Sequence, residues 1–276
     1  MTDVVVTLTT IPSRLSFDGS EGMRLCIQSL VQQNANNYQI HLNVPHVHKI
    51  TGEAYVIPEW LLNIPKVQIF RTEDFGAATK LLPTVERVQD PETIIIVVDD
   101  DLVYHPDMVT SHIENQNIWT ESVVGYDGLR SRSEDGKHST HFGDSRDFYH
   151  TANYRTSLVD ILQHYKSVSY KRRYFENDFL DFASNHHSWA DDLLLAAYFS
   201  YKHRDRIATY HPMLDTEFSS YTEWSQRGGV ESFPVLRHTH HESLEGCNLF
   251  RDRKIDDNGG KLYFYIDRGY NHKISD

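Results

Sequence analysis

Two uninterrupted runs, VVVTL at residues 4–8 and IIIVV at residues 94–98, do most to restrict what this chain can fold into. Both are dominated by β-branched side chains, and neither shows the polar alternation of a strand with one wet face. Runs of this kind suit strands covered on both sides, as in a parallel sheet. Between them the period changes twice. After Gly22, MRLCIQSLVQQ puts Met23, Cys26, Ile27, Leu30 and Val31 at helical spacing, and YQIHLNV then alternates Ile40, Leu42 and Val44. KVQIFRT predicts a third strand, LLPTVERV a short helix, TIIIVV the fourth strand, and HPDMVTSHIENQNIW a helix from about Pro106. The order β-α-β-β-α-β favours an open, mostly parallel sheet flanked by helices, in which ligands gather at the carboxyl ends of the strands.

The second half is less regular. Residues Asp127 to Thr156 form a polar stretch rich in Gly, Ser, His and Arg, long enough to predict a functional loop or lid. SLVDILQHYKSVSYKRRYF reads as two strands about a turn, and FENDFLDFAS as a helix. SWADDLLLAAYFSYKH predicts a helix entered through a carboxylate pair, with Leu193, Ala196, Ala197 and Ser200 along one face. At 276 residues a single α/β unit would bury roughly 75% of the surface its unfolded chain exposes, so one domain is expected.

Charge and cysteine usage narrow the function. Lys and Arg number 27 against 39 Asp and Glu, a net charge of -12, which argues against a general grip on nucleic acid or an anionic membrane surface. Cys26 and Cys247 form neither a disulfide framework nor a thiolate zinc pattern. The first residues, MTDVVVTLTTIPSRL, lack the basic and apolar regions of a signal peptide, and no stretch approaches ~20 apolar residues. The expectation is a soluble, cytoplasmic chain with no membrane span.

Asp99, Asp100 and Asp101 follow the fourth strand directly. Adjacent carboxylates repel, and one cap or turn would need only one of them. A hard cation such as Mn2+ or Mg2+ gives all three a purpose, because it takes oxygen ligands and keeps positions open for substrate phosphates. Strand alternation would let Asp99 and Asp101 converge on the ion while Asp100 turns elsewhere or meets the nucleotide sugar. A P-loop is absent, since GAATK at Gly76–Lys80 lacks the second Gly, and TTIPSR stands where a dinucleotide site needs G-x-G-x-x-G.

Other candidates lie at neighbouring strand ends. Thr9, Thr10 and Arg14 follow strand one; Asp74, Gly76 and Lys80 follow strand three, with Gly76 allowing close backbone approach and Lys80 able to meet phosphate. His238 and His240, after the predicted strand FPVLR, would share a face and could complete a metal's coordination, although a chain with 17 His makes chance clusters expected. Asp191 and Asp192 open a helix, where capping alone is a sufficient use, yet one of two adjacent acids is free to serve as a base.

In order and spacing, TLTTIPSRL, DFGAATKLLP, VVDDDLVYHP, VVGYDG, VDILQHYKSVSYKRRYF and WADDLLLA resemble the GT-A-type glycosyltransferases, in particular the small nucleotide-sugar transferases of large algal viruses and bacteria. The resemblance implies a Rossmann-like nucleotide-sugar half over about residues 1–120. It also implies an acceptor-side half with a smaller sheet and a C-terminal extension over about 121–276. It places Thr9, Arg14, Asp74 and Lys80 at the nucleotide, Asp99 and Asp101 at the metal and ribose, and Asp192 or Asp191 as the base of an inverting transfer. The implied partners are a nucleotide-sugar donor, by resemblance a UDP-sugar, and a glycan or glycoconjugate acceptor. Relatives often carry a Gly-rich turn where this chain has Gln163-His164-Tyr165-Lys166-Ser167. A metal-dependent phosphohydrolase or nucleotidyltransferase, and a non-catalytic sugar-binding protein, are the competing readings.

Overall fold

The computed structural model of the chain describes residues 3–16, 21–131, 148–150, 156–186 and 191–209. The first half runs β1 (Val4–Thr9), α1 (Pro12–Ser16), α2 (Glu21–Val31), β2 (Tyr38–Pro45), β3 (Val67–Thr72), α3 (Leu82–Arg87), β4 (Ile94–Val97) and α4 (Met108–Ile118). A 3-10 turn, Gly76–Lys80, separates β3 from α3. The second half adds β5 (Val123–Gly125), β6 (Gly128–Ser131), β7 (Phe148–His150), β8 (Ser157–Leu158), β9 (Ile161–Leu162), β10 (Val168–Lys171), α5 (Phe179–Asn185), α6 (Asp191–Tyr201) and β11 (Arg206–Ala208).

The protein is α/β, with an eight-stranded mixed sheet in the order β3-β2-β1-β4-β10-β5-β11-β8. Pairing is parallel from β3 through β4. It turns antiparallel where β10 lies between β4 and β5, with Val168 opposite Val97 and Val168 opposite Gly125. A smaller sheet has the order β7-β6-β9. No helix among the described residues is long and apolar enough to cross a membrane.

The β-branched runs behave as their composition requires. Ile94, Ile96 and Val98 pack with Val4, Val6 and Leu8 against α2 and α4. Ile95 and Val97 face the other way, into a core built on α3, α5 and α6. Each of these five residues from 94 to 98 is at most 1% exposed, which at about 1.5–3 kcal/mol per side chain anchors the sheet centre strongly. Helix α6 departs from its expected single apolar face: every residue from Leu193 to Ser200 is buried, because the helix is covered by the sheet on one side and by α5 and its aromatic residues on the other.

Two further expectations change. The polar stretch from Asp127 is not a loop throughout, since β6 and β7 lie within it and pair with each other. SLVDILQHYKSVSY is more than a two-strand hairpin. Strand β9 joins the small sheet and β10 the large one, so the turn between them, His164–Lys166, links two sheets.

Gly128 shows how tightly that junction is packed. A Cβ there would lie 2.7 to 2.9 Å from the Cγ and Cβ atoms of Val159, a buried and rotamer-restricted side chain. Gly128→Ala is therefore expected to destabilise the fold by about 1–3 kcal/mol through overpacking. A lower urea midpoint with an unchanged slope would show it; an unaltered midpoint would mean that Val159 yields freely.

Candidate active site

Strand order reverses between β1 and β4: from β1 the chain adds β2 and β3 on one side, then crosses to place β4 on the other. The crevice outside the carboxyl ends at such a switch is where open α/β sheets take ligands. Arg14, on α1 just after β1, and Asp99–Asp101, just after β4, meet there. The antiparallel β10 begins at the same end, since Val168 pairs with Val97. This register carries the turn containing His164 into the crevice.

Strand β4 ends at Val97, and the chain leaves it through Asp99 into a bend at Asp100 and Asp101, so strand alternation no longer governs the three aspartates. The ion pairs divide them differently from the expected grouping of Asp99 with Asp101. Arg14 joins Asp100 through Nη1 and Asp101 through Nη2, the latter at 3.1 Å. Lys80 Nζ lies 2.5 Å from Asp99 Oδ1 and 2.9 Å from Asp191 Oδ2. That lysine unites an aspartate behind β4 with one at the start of α6.

The frame around these charges is specific. The Tyr104 hydroxyl accepts the Asp99 N–H at 2.8 Å and lies 3.2 Å from the Asp99 carbonyl and 3.0 Å from that of Tyr165. It thereby ties the aspartate bend to the His164 turn. Asn43 Nδ2 donates to the Lys80 carbonyl at 3.3 Å, and the Thr7 hydroxyl donates to the same oxygen. Thr84 completes this buried network, which holds the lysine's backbone against β1 and β2.

Asp74 fastens the turn after β3: its Oδ1 accepts the Gly76 N–H at 2.8 Å and its Oδ2 the Lys49 N–H at 2.7 Å. Gly76 adopts φ 63°, a left-handed conformation that favours glycine. The Thr9 hydroxyl donates to the Asn43 carbonyl at 2.8 Å, and the buried Thr10 supports Asp100 with a hydrogen bond. Thr9, Asp74 and Gly76 thus shape the crevice's frame, while Arg14, Lys80, Asp99, Asp100, Asp101, Asp191 and Asp192 form its charged centre. The stretch FPVLR, expected as a strand, and His238, His240 and His241 lie outside the described residues.

His164 is the group that sequence reasoning missed. It is a lone histidine in a short turn, without a periodic signal. Its Nδ1 is 2.7 Å from Asp191 Oδ2 and 2.5 Å from Asp192 Oδ1, and its Nε2 is 2.6 Å from the Tyr170 hydroxyl. The turn is closed by Ser167 at φ 75°, a backbone cost of about 1–3 kcal/mol. Ser167 Oγ lies 2.8 Å from His112 Nε2, which helps to hold that conformation.

Burial would lower the His164 pKa, but Asp191 and Asp192 more than reverse this and raise it to about 9. The same two-cation environment, Lys80 and His164, overcomes burial at Asp191 and holds its carboxyl below the usual range. Asp99 shares Lys80 but, among the described residues, has no second direct ion pair, so burial and the nearby Asp101 and Asp191 keep its carboxyl raised despite that lysine. Burial alone would lower Lys80 as well; Asp191, Asp99 and Asp192 drive it well above its ordinary value.

His164, Asp191 and Asp192 are also the one trio of His and acid ligand atoms, among the described residues, lying within 4.8 Å of one another. Their N···O separations of 2.5 and 2.7 Å match charge-assisted hydrogen-bond distances. Atoms sharing one ion through bonds of ~2.0–2.2 Å stand roughly 3 Å apart. Nδ1 sits between the two oxygens without a well-directed hydrogen bond to either of them, so the contact is an ion pair held by charge and proximity. The aspartate bend offers oxygen donors of the kind a hard cation takes, but among the described residues its three carboxylates do not converge as that trio does. Among the described residues Oδ2 of the buried Asp100 has no hydrogen-bond partner, and neither have His164 Nδ1 and Asp191 Oδ2 of the trio; Asp100 is neutralised by Arg14 through its other oxygen.

Side-chain exposure separates the acids. Asp99 retains 31% and Asp192 27%, against 7% for Asp100 and 12% for Asp191. The two open carboxylates flank the closed Lys80–Asp191 pair. No family model matches the chain, and no curated protein matches it.

Proposed function

We propose that the chain is a metal-dependent glycosyltransferase of the GT-A type, moving a sugar from a nucleoside-diphosphate donor, most naturally a UDP-sugar, to a hydroxyl of a glycan or glycoconjugate with inversion. One observation carries the reading: Lys80 draws Asp99 of the aspartate bend and Asp191 of α6 together at the strand-order switch. Donor-side acids and a candidate base pair thereby share one crevice.

A diphosphate at ~4 Å from each aspartate is repelled by ~4 kcal/mol per unit-charge pair at an effective dielectric of ~20. Mn2+ or Mg2+, held by Asp99 and Asp101 with His238 or His240 as proposed further ligands, would supply the positive charge that a departing diphosphate needs. Arg14 and Lys80 keep the bend in shape and add positive potential toward the phosphates. In the transfer, the acceptor oxygen forms a bond to the anomeric carbon, and the bond from that carbon to the diphosphate oxygen breaks, its electron pair leaving with the diphosphate. The acceptor's proton passes to Asp192. Among the described residues the hydrogen bond and ion pair of Asp192 both fall on Oδ1, so Oδ2 is placed to accept.

A thermal-shift panel of nucleoside diphosphates with and without Mn2+ tests the reading. Stabilisation by one diphosphate, only in the presence of the ion, is expected, reaching about 2.7 kcal/mol at a hundredfold excess over Kd. Phosphate release from nucleotides without a sugar acceptor would favour a phosphohydrolase. Sugar binding indifferent to Mn2+ would favour a non-catalytic binding protein.

A further inference from the structure

The histidine turn holds the acid pair more closely than capping requires. His164 is 1% exposed and reaches Asp192 Oδ1 twice, through Nδ1 at 2.5 Å and through its backbone N–H at 3.0 Å. The same Nδ1 is 2.7 Å from Asp191 Oδ2. The groups facing this imidazole are Asp191 and Asp192 from α6, the Tyr170 hydroxyl from β10, and, one step further, Lys80 beside Asp191 and Arg206 of β11 beside Tyr170.

We propose that His164, as an imidazolium, is the positioning residue of the acid pair, fixing Oδ1 of Asp192 so that Oδ2 meets the acceptor and, with Lys80, leaving Asp191 too weakly basic to compete for the proton. The assignment of Asp192 as base rests on the transferase reading; the charged clamp belongs to the folded chain whatever its reaction. A carboxylate between two cations is a poor proton acceptor, and among the described residues Asp191 is ion-paired directly with both Lys80 and His164, Asp192 directly with His164 and only at longer range with Lys80. Burial opposes the imidazolium, but the two carboxylates outweigh it and raise its pKa from 6.5 to about 9. The clamp is therefore fully charged at neutral pH, and its contribution is lost as pH rises through about 9. Tyr170, whose burial keeps it a neutral phenol well above its ordinary pKa, accepts the Nε2 proton and fixes the ring's second end.

The test combines a titration with kinetics. The His164 ring proton is followed by NMR against pH in the full chain, assigned by its disappearance in His164→Gln. A midpoint near 9, moving toward 6.5 when Asp191 and Asp192 are both changed to Asn, is expected. In the transfer assay His164→Gln should lower kcat about 10²-fold while donor KM stays unchanged, and should lose the alkaline limb near 9. Tyr170→Phe, which keeps the charge, should retain that limb. A midpoint at or below 6.5, or wild-type kcat in His164→Gln, overturns the proposal. A midpoint near 9 in a protein that transfers no sugar upholds the clamp and refutes the transferase reading alone.

Discussion

Lys80→Met is expected to destabilise the fold by about 3–5 kcal/mol, because it leaves two carboxylates facing each other without the cation between them. The lysine side chain is 8% exposed and touches both Asp99 and Asp191, so water cannot replace it. Its flexible stem matters less than its charge, and methionine preserves most of the packing. The penalty should depend on pH in a definite direction. Asp191, held below the usual carboxylate range by Lys80 and His164, contributes stability above its unfolded value that is lost as pH falls. Without Lys80 its carboxyl rises, and the deficit of the variant relative to wild type shrinks on acidification as Asp99 and Asp191 take up protons. Urea unfolding at neutral and mildly acidic pH measures both. Adding Asp99→Asn to Lys80→Met should recover part of the loss, a coupling expected of groups in one network. A loss below about 1 kcal/mol at neutral pH would mean that the lysine is not the hub its distances imply.

Asp192→Asn should reduce transfer by about 10²- to 10⁴-fold, the usual contribution of a general base, while leaving stabilisation by nucleoside diphosphate and Mn2+ intact. The isosteric amide still accepts the His164 N–H, so the turn keeps its shape; only basicity is removed. Asp191→Asn predicts another pattern. It takes a charge from between Lys80 and His164, so its main effect should fall on stability, with activity following. Asp101→Ala predicts a third: loss of Mn2+-dependent donor binding itself. If transfer survived both Asp191→Asn and Asp192→Asn, the inverting base would be wrongly assigned and a retaining mechanism would gain ground.

Much of the frame was legible because it rests on local period. Val4–Leu8 and Ile94–Val98 needed no partner information to be read as doubly buried strands, since a run without alternation has nowhere wet to face. The β-α-β-β-α-β order placed Arg14, Lys80 and the three aspartates at strand ends. Helix α6 was found, but its burial on all sides was not, because a short LLLAAYF run looks the same whether one neighbour covers it or two. Strands β6 and β7 were hidden in a polar stretch whose composition reads as loop; they are short, and they pair within the small sheet, with each other and with β9, rather than with the main sheet.

The sequence by itself determined an anionic α/β chain with acids collected behind its central strands, since hydrophobic period and charge are local properties. Only the tertiary structure decided how those acids are shared out: Asp100 and Asp101 to Arg14, Asp99 and Asp191 to Lys80, Asp192 to a histidine no pattern marked. The physical reason is that ion pairs form through space between elements that sheet register brings together. Strand β10 lies antiparallel to β4, so the turn before it meets the bend after β4, and residues far apart along the chain settle one another's charge.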